Sequence, residues 1–251
     1  MLGWLYRRRL AREAAALEPS EAEFDAIVRA SPCLARLSPE QRERLRRRAG
    51  EVLAAKEFRG AGGLAPDRGD CLPVAVHAAL PMLELGLEPF RHFRTFILYR
   101  DEFEVDIEET DDDGLVHRGR DLRAGEAWHR GPVVLSLADV AASGQGEGYH
   151  VVVHELAHQL DQANGDADGY PPLPAGVSGR DWSETFSAAF ERLQAKLDAG
   201  AEPAIDEYAA ESPAEFFAVA SEYFFDAPEI LQRAEPGVYR LLASLYGRDP
   251  A

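Results

Sequence analysis

The chain has 251 residues, 46% of them hydrophobic, which is enough for one large domain or two small ones with a sizeable core. Its formal charge is −17 and is unevenly spread: the first 60 residues hold 13 Lys/Arg against 9 Asp/Glu, and the remainder 14 against 35. So acidic a body repels phosphates and argues against nucleic acid as a direct ligand.

In chain order, the N-terminus reads MLGWLYRRRLAREAA, with the apolar residues before the basic ones and too short a run for a secretory signal. No later window approaches the ~20 apolar residues of a membrane span, so a cytoplasmic protein is expected. Arg7 to Arg9, behind Trp4 and Tyr6, read as a solvated basic tail. Residues 20–30 and 39–57 have helical spacing, the second helix opening at Ser38-Pro39-Glu40. Its RERLRRR run reads as a solvated face. Cys33 and Cys71 are too few and too far apart for a disulfide scaffold and read as free thiols of a reducing compartment. Residues 58–70 are rich in Gly and Pro and predict a loop, and 71–86 a buried helix. Thr95 to Tyr99 and Pro132 to Leu137 are short β-rich runs. The acidic stretch from Asp101 to Asp113 between them predicts a hairpin or loop. Helices follow near 148–162, 181–199, 204–210, 213–226 and 236–247. The order is helices, a few strands, then helices: an α+β fold, mostly helical, with a small sheet beside the helix at 148–162.

That helix carries His154-Glu155-Leu156-Ala157-His158, an HExxH motif. Residues at i and i+4 lie one above the other on a helix face, so both imidazoles can reach one zinc ion. Glu155, about 100° round the helix, can act as general base toward a water at the ion. A HxxGxxH continuation is absent, since Asp161 and Asn164 occupy its Gly and His positions. A third ligand is therefore expected from a later helix. Glu215 and Glu222 share one face of the apolar segment 212–225, and buried carboxylates need a partner. Glu215 also fits a capping box, Ser212-x-x-Glu215 with Pro213 at the first helical position, and the residues alone leave ligand and cap evenly matched. His150, one turn before His154, could face the cleft. His77, His92, His117 and His129 lack metal spacing and read as surface or satisfied core residues.

HELAHQLD with NGD, DEYAAESPAEFFAVASEYFF, CLPVAVHAALPMLELGLE, FILYRDEFEVD, DDGLVHRG and GPVVLSLADV closely resemble the Mlc titration factor A family of bacterial zinc peptidases. The resemblance covers about residues 58–250. It implies a gluzincin-like zincin domain over 58–251, with 1–57 a helical segment packed on or flanking it. It implies one Zn2+ held by His154, His158 and Glu215, Glu155 as base and Tyr208 as electrophile at the oxyanion. Glu222 fits a role behind a ligand histidine, and Asp161 a lesser one of the same kind. It further implies aminopeptidase-like activity on a peptide substrate and a transcriptional repressor of the Mlc type as partner. The alternative is a repressor-binding regulatory protein whose peptidase activity is latent or secondary.

Overall fold

The computed structural model describes the backbone of residues 11–101, 103–110, 116–123, 125–127 and 131–251, and the side chains of 11–101 and 131–251. The basic N-terminal tail, His129 and the side chain of His117 lie outside the described residues.

A helical stretch over residues 11–17 leads into α1 (Glu21–Ala30), α2 (Pro32–Ala35) and α3 (Pro39–Ala55). The α1 and α3 helices open with complete capping boxes, Ser20 with Glu23 and Ser38 with Gln41, which satisfy first-turn amides. The basic face of α3 is paired within the chain: Arg44 meets Glu84 at 2.6 Å, Arg46 meets Glu18 at 2.7 Å, and Arg48 meets Glu51.

Four strands make a mixed sheet in the order β1 (Glu57–Gly60), β2 (Thr95–Tyr99), β6 (Val133–Ser136), β5 (Gly125–Ala127). The first three run parallel, with Phe58 opposite Phe96 and Phe96 opposite Val133, while β5 lies antiparallel on β6. All four β6 residues are buried, as expected of a parallel strand covered on both faces. A separate hairpin pairs β3 (Phe103–Thr110) with β4 (Val116–Arg123) in the acidic stretch. The segment read as one helix over 71–86 is two: α4 (Arg68–Ala79), capped by Asp67, and α5 (Met82–Leu85), with Pro81 between them. Pro81 cannot donate to a continuing ladder.

The strand end at Leu137 instead opens α6 (Leu137–Ala142), because Ser136 caps Asp139. The remaining helices are α7 (Val151–Asp161), α8 (Gly179–Asp198), a 3-10 turn at Glu207–Ala210, α9 (Pro213–Asp226), α10 (Pro228–Ala234) and α11 (Pro236–Tyr246). The α7 helix lies against β5, β6 and α9. One hydrophobic core runs from Leu34 and Leu45 through Phe96 and Val152 to Phe217 and Leu242. The fold is thus mostly helical α+β. Among the described residues no helix is long and apolar enough to cross a membrane.

Candidate metal centre

Two helices define the centre, and each is almost wholly buried. In α7 every residue is buried except His154 and His158. In α9 every residue from Ala214 to Asp226 is buried except Glu215. The three half-buried side chains of two packed helices therefore converge on one opening. The sequence dictates this: VVV and L-A surround the histidines, and AEFFAVASEYFFD surrounds the glutamate, so hydrophobic burial fixes all other faces.

The geometry suits an ion. His154 Nε2 and His158 Nε2 are 3.1 Å apart. Glu215 Oε2 lies 3.1 Å from the first and 3.3 Å from the second. A zinc ion bonded at roughly 2.0–2.1 Å to three donors at the tetrahedral angle holds them about 3.3 Å apart. Two borderline nitrogen donors and one oxygen donor fit zinc chemistry and leave a fourth position open.

Both readings of Glu215 have a counterpart in the structure. Ser212 Oγ accepts the Glu215 backbone N–H at 3.2 Å, so half of the capping box is present. The Glu215 carboxylate turns to the histidines. Burial raises its pKa, but hydrogen bonds and charge from His154 and His158 outweigh this and hold it well below the usual carboxylate range. Burial likewise opposes charge on His154, yet Glu222 and Glu215 reverse the balance and raise its pKa well above the ordinary value.

Behind the triad, Glu222 accepts the Nδ1–H of His154 at 2.7 Å and the backbone N–H of His150 at 2.5 Å. This holds the Nδ1–H of His154 inward and turns Nε2 to the opening. Glu155, next to His154 in sequence, is buried. The Tyr208 ring centroid stands 6.0 Å from that of His154, and Tyr208 is 42% exposed. Asp161 is fully buried and accepts the Gly169 N–H at 2.7 Å, tying the loop after α7 to the helix.

Two features were not read from the sequence. Asp226, the last residue of α9, accepts the backbone N–H groups of Gly146 and Gly148 and so fixes the loop before α7. Gly148 sits at φ +90°, and a Cβ there would lie 2.4 Å from the Tyr223 ring. His150 does not face the cleft. It is fully buried as the N-cap of α7, with its Nε2 at 3.0 Å from His77 Nδ1, because Ser143, Glu222 and Val153 hold that turn inward. Its signal was its place immediately before the apolar run.

The model of the glucose-regulated metallo-peptidase M90 family matches residues 4–247. Mlc titration factor A of Cronobacter sakazakii is 38% identical over 252 residues, covering all of this chain and 93% of that protein. Proteins of the same name from Klebsiella pneumoniae (strain 342) and Serratia proteamaculans (strain 568) are each 40% identical across 88% of this chain, covering 84% and 85% of their own lengths.

Proposed function

The chain belongs to the glucose-regulated metallo-peptidase M90 family, and from that premise we propose that it is a zinc-dependent peptidase whose ion is held by His154, His158 and Glu215. One observation carries the reading: beyond the exposed first residue of α9, Pro213, the two buried helices open to solvent only at these three side chains, with their donor atoms 3.1–3.3 Å apart.

Bound zinc supplies Lewis acidity, polarising a peptide carbonyl and lowering the pKa of a water to about 7. Glu155 takes the proton of the attacking water and passes it to the leaving amine. Tyr208 donates its hydroxyl to the oxyanion that develops on the scissile carbonyl. Glu222 takes no part in bond making and keeps His154 oriented. The substrate is a peptide cleaved in an aminopeptidase-like manner, in keeping with the family resemblance of the HELAHQLD and DEYAAESPAEFF segments. The cytoplasm fits two unpaired cysteines.

A second reading has support in the relatives, which are named titration factors of Mlc. In it a transcriptional repressor of the Mlc type is the partner, and peptide hydrolysis is latent or secondary to that binding. Glu155→Gln tests the enzyme. The variant is expected to keep one zinc per chain and to lose about 10²–10⁴ in turnover of peptide substrates. Full turnover in the zinc-loaded variant would remove Glu155 from the chemistry, and failure of the wild type to bind zinc would overturn the metal reading.

A further inference from the structure

Behind the metal centre, Ser31, His77 and His150 form a buried row, each at most 4% exposed. Ser31 Oγ is 3.1 Å from His77 Nε2, and His77 Nδ1 is 3.0 Å from His150 Nε2. The row ends on α7, where His150 Nδ1 accepts the Val153 N–H at 3.3 Å. Burial keeps both rings neutral. It lowers the pKa of His77 to about 4 and, with His77 alongside, lowers that of His150 well below its ordinary value.

A neutral imidazole carries one N–H and one lone pair, so the row has a single consistent assignment. The Val153 N–H requires the lone pair of His150 at Nδ1, which puts the hydrogen on Nε2. That hydrogen points at His77 Nδ1, which therefore holds a lone pair. The hydrogen of His77 is then on Nε2 and donates to Ser31 Oγ. Reversing the row would set the Nδ1–H of His150 against the Val153 N–H, two donors face to face in a site without bulk water.

We infer that His77 is a positioning residue for the HExxH helix: by accepting the Nε2–H of His150 it fixes the tautomer whose Nδ1 caps Val153, the residue before His154. His150 is also joined to the centre through its backbone. Its N–H donates to Glu222 and its carbonyl accepts the His154 N–H at 3.0 Å. The row thus runs from Ser31 to the first turn of the helix bearing the ligands.

Cys33 stands beside the row, and Cys33, His77 and His150 offer donor atoms within 4.8 Å of one another. A second metal ion there is the rival account. It would take either the Nδ1 lone pair of His150 or, by moving the ring hydrogen to Nδ1, the one at Nε2, and both cost the helix its cap. It would also need a thiolate, whereas burial and the nearby Asp226 push the Cys33 thiol up to about 12. The hydrogen-bonded row satisfies the same rings without either change.

Nitrogen-15 NMR of the histidine rings in the zinc-loaded protein reads the tautomers directly. Both His77 and His150 are expected as Nε2–H forms, and an Nδ1–H signal from His150 would overturn the inference. A mutant cycle tests the coupling. In His77→Leu the Val153 amide should exchange at least about tenfold faster, since an orphaned buried donor loosens the cap. Asparagine caps without help from a neighbouring ring. Adding His77→Leu to His150→Asn should therefore change Val153 exchange less than threefold. An equal effect of His77→Leu in both backgrounds would assign His77 to packing alone. Should His77→Leu fail to fold, His77→Gln replaces it, because its amide oxygen can take the same hydrogen; restored Val153 protection is then expected, and its loss counts against the inference. His154→Ala/His158→Ala refolded with zinc should hold no ion. A retained ion that Cys33→Ser releases would establish the rival site.

Discussion

Glu222 grips one helix at two heights: Oε2 accepts the backbone N–H of His150 at 2.5 Å and Oε1 the Nδ1–H of His154 at 2.7 Å. A carboxylate can do this because both its oxygens accept, whereas a carboxamide turns a donor toward one of the two N–H groups. Glu222→Gln is therefore expected to fold and to weaken zinc binding by about 10–100-fold, the usual scale for the partner behind a metal-bound histidine. Competition with a chelator of known affinity measures this. An unchanged dissociation constant would leave Glu222 only a structural role.

Glu215→Gln distinguishes ligand from cap. Glutamine at this position still donates its backbone N–H to Ser212 Oγ, so the stability loss without zinc should stay under ~1 kcal/mol. Its neutral amide is a poor substitute for an anionic donor. The variant should purify folded and zinc-poor, with activity mostly absent at low free zinc. Equal zinc titrations of variant and wild type would show that the side chain is not a ligand.

Tyr208→Phe removes one hydroxyl from an exposed ring near His154. The expected loss in kcat is about 10²–10³, typical of a single oxyanion donor, with zinc content unchanged. A kcat equal to that of the wild type would mean that the hydroxyl does not meet the reacting carbonyl.

Asp161 supplies a pH signature. Burial raises its pKa from 3.8 to about 7 despite backbone hydrogen bonds from Gly169, Tyr170 and Asp168. The folded state thus holds a proton that the unfolded chain has already released between these values. The contribution of Asp161 to stability accordingly falls as pH rises through that window, by up to about 1.4 kcal/mol per pH unit. Asp161→Asn can still accept the Gly169 N–H and has no proton to lose. Its stability relative to wild type should climb between pH 4 and 7 and level off above. Parallel stability curves in urea, with zinc present in both, would show that Asp161 does not titrate in this range.

Much of the centre was legible because it is periodic. HExxH places two imidazoles on one face, and the apolar residues between them exclude every other face from solvent. Glu215 was legible from its own segment only as an ambiguity. The pattern Ser212-x-x-Glu215 is the same whether the carboxylate caps its own helix or crosses to another, and only the approach of α9 to α7 brings it to the two histidines. Asp226 and the His77–His150 pair were not legible, for a related reason. Their partners lie 78 and 73 residues away along the chain, and local pattern carries no information about such meetings. The three-residue strand β5 is too short to show alternation, and α6 was hidden because Ser136 ends a strand and caps a helix at once.

The α9 helix carries Glu215, Glu222 and Asp226 toward the segment from Gly146 to His158, and each holds a different part of it. Carboxylates gathered on one buried face repel one another and resist desolvation, so this helix is a place where persistence and function pull apart. A population of variants selected only for surviving heat, with no demand for metal, is expected to change first at Glu215, where the cost is small, and later if at all at Glu222, whose oxygens hold two buried N–H groups. A population selected for hydrolysis would be held to both. Sequencing the two lineages would show how strongly selection for the reaction has kept a fold from its most stable composition.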